Sequence, residues 1–192
     1  MPILGTVASS ISGNLTPTSG YISLASTSLS ATSLSVTFSN IPTIYRHLEL
    51  RMFATDQVTN NNTWLRMTFN NDTSAIYAYA ARRFTNDTTA LSTAGSTGGN
   101  VFGGSTLNGK PATVSQLPFV SSVVRIPLYS STTAYKNWTG WSGCVYTQTE
   151  HALARFWGSF ASTSPITTIK IDTENGSYWW VTGSTFSLYG IK

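Results

Sequence analysis

Several segments of this chain alternate apolar and polar residues with a period of two, and this pattern constrains the fold more than any other feature. The clearest stretches are residues 33–39 and 45–53. In the second stretch, the alternation predicts that Leu48, Leu50 and Met52 face a core and that His47, Glu49 and Arg51 face outwards. Successive side chains of a strand point to opposite faces of a sheet, so the pattern predicts strands with one buried face.

We expect about ten strands, separated by short turns, on this criterion. The predicted strands begin near residues 21, 33, 45, 63, 75, 122, 135, 151, 166 and 184. The segment 151–160 also fits a short helix, because Leu153, Phe156 and Trp157 would share one helical face. Many short strands at regular spacing are typical of an antiparallel β-sandwich, and we expect a jelly-roll-like arrangement.

Composition supports an all-β fold for this chain. Charged residues make up 9% of the 192 residues, against about 25% in an average domain, whereas Ser and Thr reach about 30%. Ser and Thr keep the outward face of a strand polar without adding charge, and Thr is β-branched. We expect an extended N-terminal arm over residues 1–20, which lack periodicity, and a single β-sandwich domain over residues 21–192.

Two segments between the predicted strands have distinct loop character. Residues 70–73, Asn-Asn-Asp-Thr, predict a tight turn, because Asn and Asp tolerate left-handed backbone angles. Residues 86–118 hold most of the Gly, Ser, Thr and Asn of the middle of the chain. Loops of that length are uncommon unless they bind something or are disordered, and this segment is the best candidate for an interaction loop.

The basic residues are dispersed along the chain. The formal net charge is +4, and Arg82 and Arg83 form the only pair of adjacent basic residues. Nucleic-acid surfaces cluster such charges, so we expect no nucleic-acid partner. The N-terminus lacks the features of a secretory signal, and no apolar run approaches the ~20 residues that span a bilayer. We expect a protein made in the cytoplasm, with no membrane partner.

Groups suited to catalysis are scarce. The chain has two histidines, His47 and His151, and a single cysteine, Cys144. A nucleophilic triad or a metal site needs several such groups at set spacings. The stretch 140–143, Gly-Trp-Ser-Gly, resembles a nucleophile elbow but lacks the Gly-x-Ser-x-Gly spacing. We therefore expect no enzyme activity, no catalytic residue, no metal ligand and no cofactor.

One pair of nearby carboxylates remains. Asp172 and Glu174 are two residues apart and could lie on one side of a strand, as in some calcium sites and glycosidases. Their position before Asn175 and Gly176 favours solvated side chains in a turn.

Aromatic residues are the strongest candidates for an interaction surface. The residues that we predict to contact a partner are Trp64, Tyr178, Trp179 and Trp180. Trp179 and Trp180 are consecutive, so on a strand one of them must face away from the core. An outward indole would pack on a neighbouring subunit or stack on a sugar ring. Burial beneath a loop is the alternative.

Three stretches of the sequence resemble a family of small β-rich virion proteins of tailed bacteriophages, including cyanophage-type particles. They are FSNIPTIYRHLELR at residues 38–51, FNNDT at residues 69–73 followed by Tyr77, and GSTFSLYGIK at residues 183–192. With the strands between them, the resemblance covers about residues 21–192. None of the three motifs is catalytic.

The resemblance implies a structural protein of the virion, without an active site. The leading expectation is a capsid decoration or cement protein that forms a homotrimer and contacts other virion proteins, such as the major capsid protein. No shaft-like repeat precedes the domain, which favours this interpretation over a fibre. The alternative is a tail-fibre or receptor-binding head that contacts host glycans.

Overall fold

The computed structural model describes residues 20–57, 62–74, 76–85, 89–95, 101–108, 119–145, 151–173 and 178–192. All regular secondary structure in these residues is β-strand. The strands are β1 (Tyr21–Ser28), β2 (Ser35–Phe38), β3 (His47–Ala54), β4 (Asn62–Phe69), β5 (Tyr77–Thr85), β6 (Thr89–Gly95), β7 (Val101–Asn108), β8 (Val120–Pro127), β9 (Lys136–Val145), β10 (His151–Phe160), β11 (Ile169–Thr173) and β12 (Thr185–Ile191). No helix in the described part is long and apolar enough to cross a bilayer.

The strands form two antiparallel sheets. The larger sheet has eight strands in the order β1-β12-β3-β8-β9-β10-β5-β6, and the smaller has four in the order β2-β11-β4-β7. The chain passes repeatedly from one sheet to the other, so neighbours in a sheet are often distant in sequence. The prediction of an all-β, antiparallel fold is confirmed.

The apolar core follows from the alternation within the strands. On β8, Val120, Val124 and Ile126 are fully buried together with Ser122, whereas Ser121, Arg125 and Pro127 on the opposite face are exposed. On β12, Phe186 and Leu188 are buried in the same way. The faces predicted for β3 are also confirmed, since Leu48, Leu50 and Met52 belong to the core cluster.

Aromatic side chains join the two sheets. Phe69 on β4 of the smaller sheet has ring-centroid distances of 5.6 Å to both Trp138 on β9 and Phe160 on β10. Phe160 in turn stacks on Tyr77 of β5, at 4.8 Å. These contacts extend from the inner face of one sheet to the inner face of the other. The two sheets therefore share one core, as in a β-sandwich.

Glycines on β9 and β10 lie opposite these inward aromatic residues. Gly158 pairs with Trp138, and Gly140 pairs with Phe156. A Cβ atom at Gly158 would overlap the Trp138 ring, and one at Gly140 would overlap the Phe156 ring and lie 2.6 Å from the carbonyl oxygen of Val123. Each glycine therefore provides the space in which an aromatic ring lies flat over the neighbouring strand.

The predicted turn at residues 70–73 is confirmed. Asn70 and Asn71 have φ angles of 53° and 56°, in the left-handed region that Asn tolerates. The Tyr77 hydroxyl donates to the carbonyl of Asp72 at 2.8 Å and accepts from the backbone N–H of Phe69 at 3.1 Å. This phenol therefore closes the connection between β4 and β5, and burial raises its pKa to about 12.

The connection between β8 and β9 is held by a buried lysine. Lys136 is fully buried, and its Nζ donates to the carbonyls of Ser131 and Ala134, each at 2.8 Å, and of Ser162 at 3.2 Å. Burial lowers the pKa of Lys136. Backbone carbonyls thus take the place of a carboxylate partner for this ammonium group.

Several predictions for individual segments need correction. Residues 86–118 are not one long loop, because β6 and β7 lie within them. Twelve strands are described, against the predicted ten, for the same reason. Residues 151–160 form a strand, so the helical alternative is wrong. The predicted arm, residues 1–20, lies outside the described residues except for Gly20.

Candidate binding surface on the larger sheet

The face of the larger sheet that points away from the core carries a patch of arginine and tryptophan, which we call the outer face. Its residues come from β3, β8, β9, β10 and β5, and they lie opposite one another in the strand register. They are Glu49, Arg51, Val123, Arg125, Thr139, Trp141, Arg155, Trp157, Ala80 and Arg82. Tryptophan and arginine are the residues most enriched at interaction hot spots.

Trp141 and Trp157 are the largest side chains of the outer face. Each is 48% exposed, although both belong to central strands. Trp141 on β9 pairs with Arg155 on β10, and Trp157 pairs with Thr139. The two indoles are therefore diagonal neighbours, with Cα atoms about 7–8 Å apart. Their exposure follows from the alternation, since the inward positions of these strands are occupied by other aromatic residues.

A groove lies between the two tryptophans. Its volume is 430 Å³, and its outward lining consists of Val123, Arg125, Thr139, Trp141, Arg155 and Trp157. A second depression of 300 Å³ lies on the other side of Trp157, lined among others by Ala78, Ala80, Asn137 and Ser159. Trp157 is thus the wall shared by two adjoining depressions. Small side chains at the neighbouring positions create the space on both sides.

A buried glutamate organises one end of the outer face. Glu49 was predicted to face outwards and does so, but it is only 1% exposed. Arg51 and Arg125 each donate to its carboxylate at 2.7 Å, and the Tyr21 hydroxyl donates at 3.2 Å. The Arg51 guanidinium also lies 4.8 Å from the centre of the Tyr189 ring. These contacts hold Arg125 at the rim of the groove.

The pKa of Glu49 reflects two opposing effects. Burial alone raises the pKa, but the hydrogen bonds from Arg51 and Arg125 and their positive charges outweigh it, so the net pKa is lowered. Glu49 is therefore ionised near neutral pH. The same contacts raise the pKa of both arginines, which stay cationic.

The outer face has an excess of positive charge. Its charged side chains are four arginines and one glutamate, which gives a net charge of +3. Arg51 and Arg125 share the glutamate. Within the described chain, neither Arg82 nor Arg155 lies within ion-pair distance of a carboxylate. Of these two arginines, Arg155 lines the groove.

The four residues predicted as an interface do not form one surface. Trp180 is fully buried, donates its indole N–H to the carbonyl of Ile171 at 3.4 Å and contacts Phe186 edge to face. Trp179 is 39% exposed and Tyr178 is partly buried. Trp64 belongs to β4, and the structure does not describe its side chain. Of these residues only Trp179 has an exposed side chain among those that the structure describes.

The prediction of a solvated Asp172 is wrong. Asp172 lies on β11, is buried, and accepts two hydrogen bonds of 2.6 Å from Arg66 on the neighbouring β4. Lys170 approaches the same carboxylate at 3.3 Å. The pair Arg66 and Asp172 joins two strands of the smaller sheet. Glu174 lies outside the described residues.

His47 has a structural role in the described chain. Its Nδ1 accepts a hydrogen bond from the backbone N–H of Leu128 at 3.2 Å. Burial and the nearby Arg46 lower its pKa. Among the residues that the structure describes, no three His, Cys, Asp or Glu side chains come together as a metal site would require.

Trp141 and Trp157 are the surface residues that sequence reasoning did not select. The signal was present in the alternation of the two strands. Phe156 and Phe160 share the inward positions of residues 151–160, which leaves Leu153, Arg155 and Trp157 outwards. What the sequence does not contain is the register that places Trp157 diagonally from Trp141.

No protein-family model, curated protein or solved structure matches this chain.

Proposed function

We propose that this chain is a non-enzymatic structural protein of a tailed-phage virion, and that it decorates and stabilises the capsid. The outer face of the larger sheet is the observation that carries a binding role. Two half-exposed tryptophans and two arginines with no carboxylate partner among the described residues are an arrangement suited to association rather than to reaction chemistry. The phage assignment rests on the three sequence motifs.

The strand order supports an assembly role for the fold. The strands β5 and β6 form one hairpin, and β9 and β10 form another. If these two hairpins are treated as insertions, two four-stranded sheets remain, β1-β12-β3-β8 and β2-β11-β4-β7. This order is that of a jelly roll, in which the first and last strands pair and the chain alternates between sheets. Jelly rolls occur in many viral capsid and lectin domains. We therefore propose a jelly roll with two insertions.

The inserted strands supply the proposed binding surface. β9 and β10 carry Trp141, Arg155 and Trp157, and β5 carries Arg82. In this scheme a homotrimer contacts the major capsid protein through the outer face and through the N-terminal arm, residues 1–20. The positive face suits an acidic surface on the capsid subunits.

Cryo-electron microscopy of the intact particle tests this proposal. Density for the fold in hundreds of regularly spaced copies on the capsid lattice is the expected result. Copies confined to the tail would overturn the decoration role. Particles that carry the variant W141A/W157A, compared with particles that carry W179A, would then show whether the outer face is needed for occupancy.

A tail-fibre or receptor-binding head is the second candidate function. The groove between Trp141 and Trp157 favours it, because flat indole faces beside hydrogen-bonding groups suit a sugar ring. A few copies at the tail tip, together with binding of host glycans by the isolated protein, would support this role.

A further inference from the structure

We infer that the groove between Trp141 and Trp157 binds an acidic oligosaccharide, with Arg155 and Arg125 beside its carboxylate or sulfate groups. This inference goes beyond a role in the virion, because it concerns a ligand site that the isolated protein carries wherever it is located. It also gives the second candidate function a site and a class of ligand.

The shape and lining of the groove suit a ring-shaped ligand. A volume of 430 Å³ accommodates one or two sugar rings, within the usual range for small-molecule sites. Thr139 is next to both tryptophans on the sheet surface, because it pairs with Trp157 on β10 and lies two residues before Trp141 on β9. An indole offers an apolar face to the C–H groups of a pyranose ring, and the Thr139 side chain is a polar group at the base.

The charges select an acidic ligand over a neutral one. Arg155 lies directly opposite Trp141 on the paired strand, and Arg125 lies opposite Thr139. Both guanidinium groups therefore border the same groove. Of the described carboxylates only Glu49 lies on this face, and it already bridges two arginines. Arg155 has no such partner among the described residues, and a guanidinium forms strong paired hydrogen bonds with carboxylate or sulfate.

The second depression indicates a chain of sugars rather than a single one. It adjoins the groove across Trp157 and offers the side chains of Asn137 and Ser159. These groups are neutral, so the adjoining subsite suits an uncharged sugar. The combined surface thus fits a polymer in which acidic and neutral units alternate, with Trp157 between consecutive units.

Single-stranded nucleic acid is the competing polyanion. It carries a phosphate at every nucleotide, and its binding proteins line a groove with cations along the backbone path. On the outer face, two of the four arginines are engaged by Glu49. Among the described residues that line the groove, Arg155 is the one cation that Glu49 does not engage, and this sparse charge matches an acidic polysaccharide better than a chain with a phosphate at every unit.

A glycan array with uronic-acid, sialic-acid, sulfated and neutral oligosaccharides tests the inference on the full chain. We expect signals from acidic glycans, followed by saturable binding of the best acidic hit in titration calorimetry. W141A and W157A should each weaken this binding about 10-fold or more. R155Q should weaken the acidic hit while leaving a neutral analogue of equal length unchanged. I44A, which shortens an exposed side chain in the connection between β2 and β3 and away from the groove, is the control.

Three outcomes would overturn the inference. One is an array without signal from any acidic glycan. Another is binding that W141A and W157A leave unchanged while both variants retain the wild-type circular dichroism spectrum and Tm. The third is tighter binding of a dT12 oligonucleotide than of any glycan, with loss of that binding in W157A. This binding test does not depend on where the protein lies in a particle. Its result is therefore independent of the proposed role in the virion.

Discussion

Two buried charged residues, Lys136 and Glu49, are held by different kinds of partner. Three backbone carbonyls surround the Lys136 ammonium group, and two guanidinium groups flank the Glu49 carboxylate. Buried charge is costly unless hydrogen bonds compensate for it. Each residue therefore stabilises the local arrangement only as long as its partners remain in place.

Replacing Lys136 by Met should lower the free energy of unfolding by about 1–3 kcal/mol, because three buried carbonyls lose their donor. Urea denaturation monitored by fluorescence measures the change. The substitution K192M, at an exposed terminal lysine, is the control and should change the stability by less than about 0.5 kcal/mol. Equal effects of the two substitutions would contradict the role of Lys136.

The contribution of Glu49 to stability should depend on pH. Its pKa is lowered in the folded state, so the unfolded state binds the proton more readily. The stabilisation is therefore complete above the ordinary value of 4.5 and is lost as the pH falls towards the lower pKa of the folded state. At pH 7, E49Q should cost about 1–2 kcal/mol, a value reduced by the solvent exposure of both arginines.

The measurement is the stability difference between the wild type and E49Q at pH 7 and at pH 3. We expect this difference to shrink at pH 3, below the ordinary pKa of 4.5, because the unfolded wild-type chain then binds a proton that the folded state takes up less readily. A difference that does not change with pH would mean that Glu49 acts through its shape alone.

At the scale of the strand, β9 and β10 each place one set of side chains in the core and the alternate set in solvent. Trp138 and Phe156 point into the core over glycines of the paired strand, and Trp141 and Trp157 point outwards. The close approach at these glycines leaves no room for another side chain. The pairing of the two strands therefore depends on the absence of a side chain at two positions.

G140A should lower the free energy of unfolding by about 1–3 kcal/mol, because the new methyl group overlaps Phe156 and forces the core to shift. Thermal and urea denaturation measure the change. G20A is the matched control, since a Cβ atom at Gly20 meets nothing within 4 Å. A G140A variant as stable as G20A would show that β9 and β10 are farther apart than described.

The strands also show what the sequence could predict. β3 and β8 were predictable because Leu, Val, Ile and Met alternate with polar residues. β6 and β7 were not, because small residues such as Ala, Gly, Ser and Thr give no contrast between the two faces. Residues 151–160 were ambiguous because Leu153, Phe156 and Trp157 also fit a helix. The candidate site needed the register between β9 and β10, which the periodicity within each strand does not encode.

At the scale of the whole molecule, one core serves two sheets, and the outer face of the larger sheet contributes little to that core. The inward aromatic residues Phe69, Trp138 and Phe160 lie in contact across the two sheets. Trp141 and Trp157 leave half of their surface to solvent. Substitutions of inward aromatic residues should therefore lower stability, whereas substitutions of the outward tryptophans should mainly change binding.

The double variant W141A/W157A should retain the fold and lower the free energy of unfolding by no more than about 2 kcal/mol, because half of each indole is already in solvent. W138A, an inward tryptophan on the same strand as Trp141, should cost about 3–5 kcal/mol. Denaturation curves of the three proteins measure both effects. Comparable losses in the two variants would mean that the outer indoles belong to the core.

The alternation of inward and outward residues along β9 and β10 has a consequence for evolution. Positions that face the core and positions of the proposed ligand site occur in turn along the same ten-residue strands. Mutations at the outward positions can therefore change the partner without disturbing the interior. Among relatives with different partners, we expect substitutions in these strands to recur at every second residue.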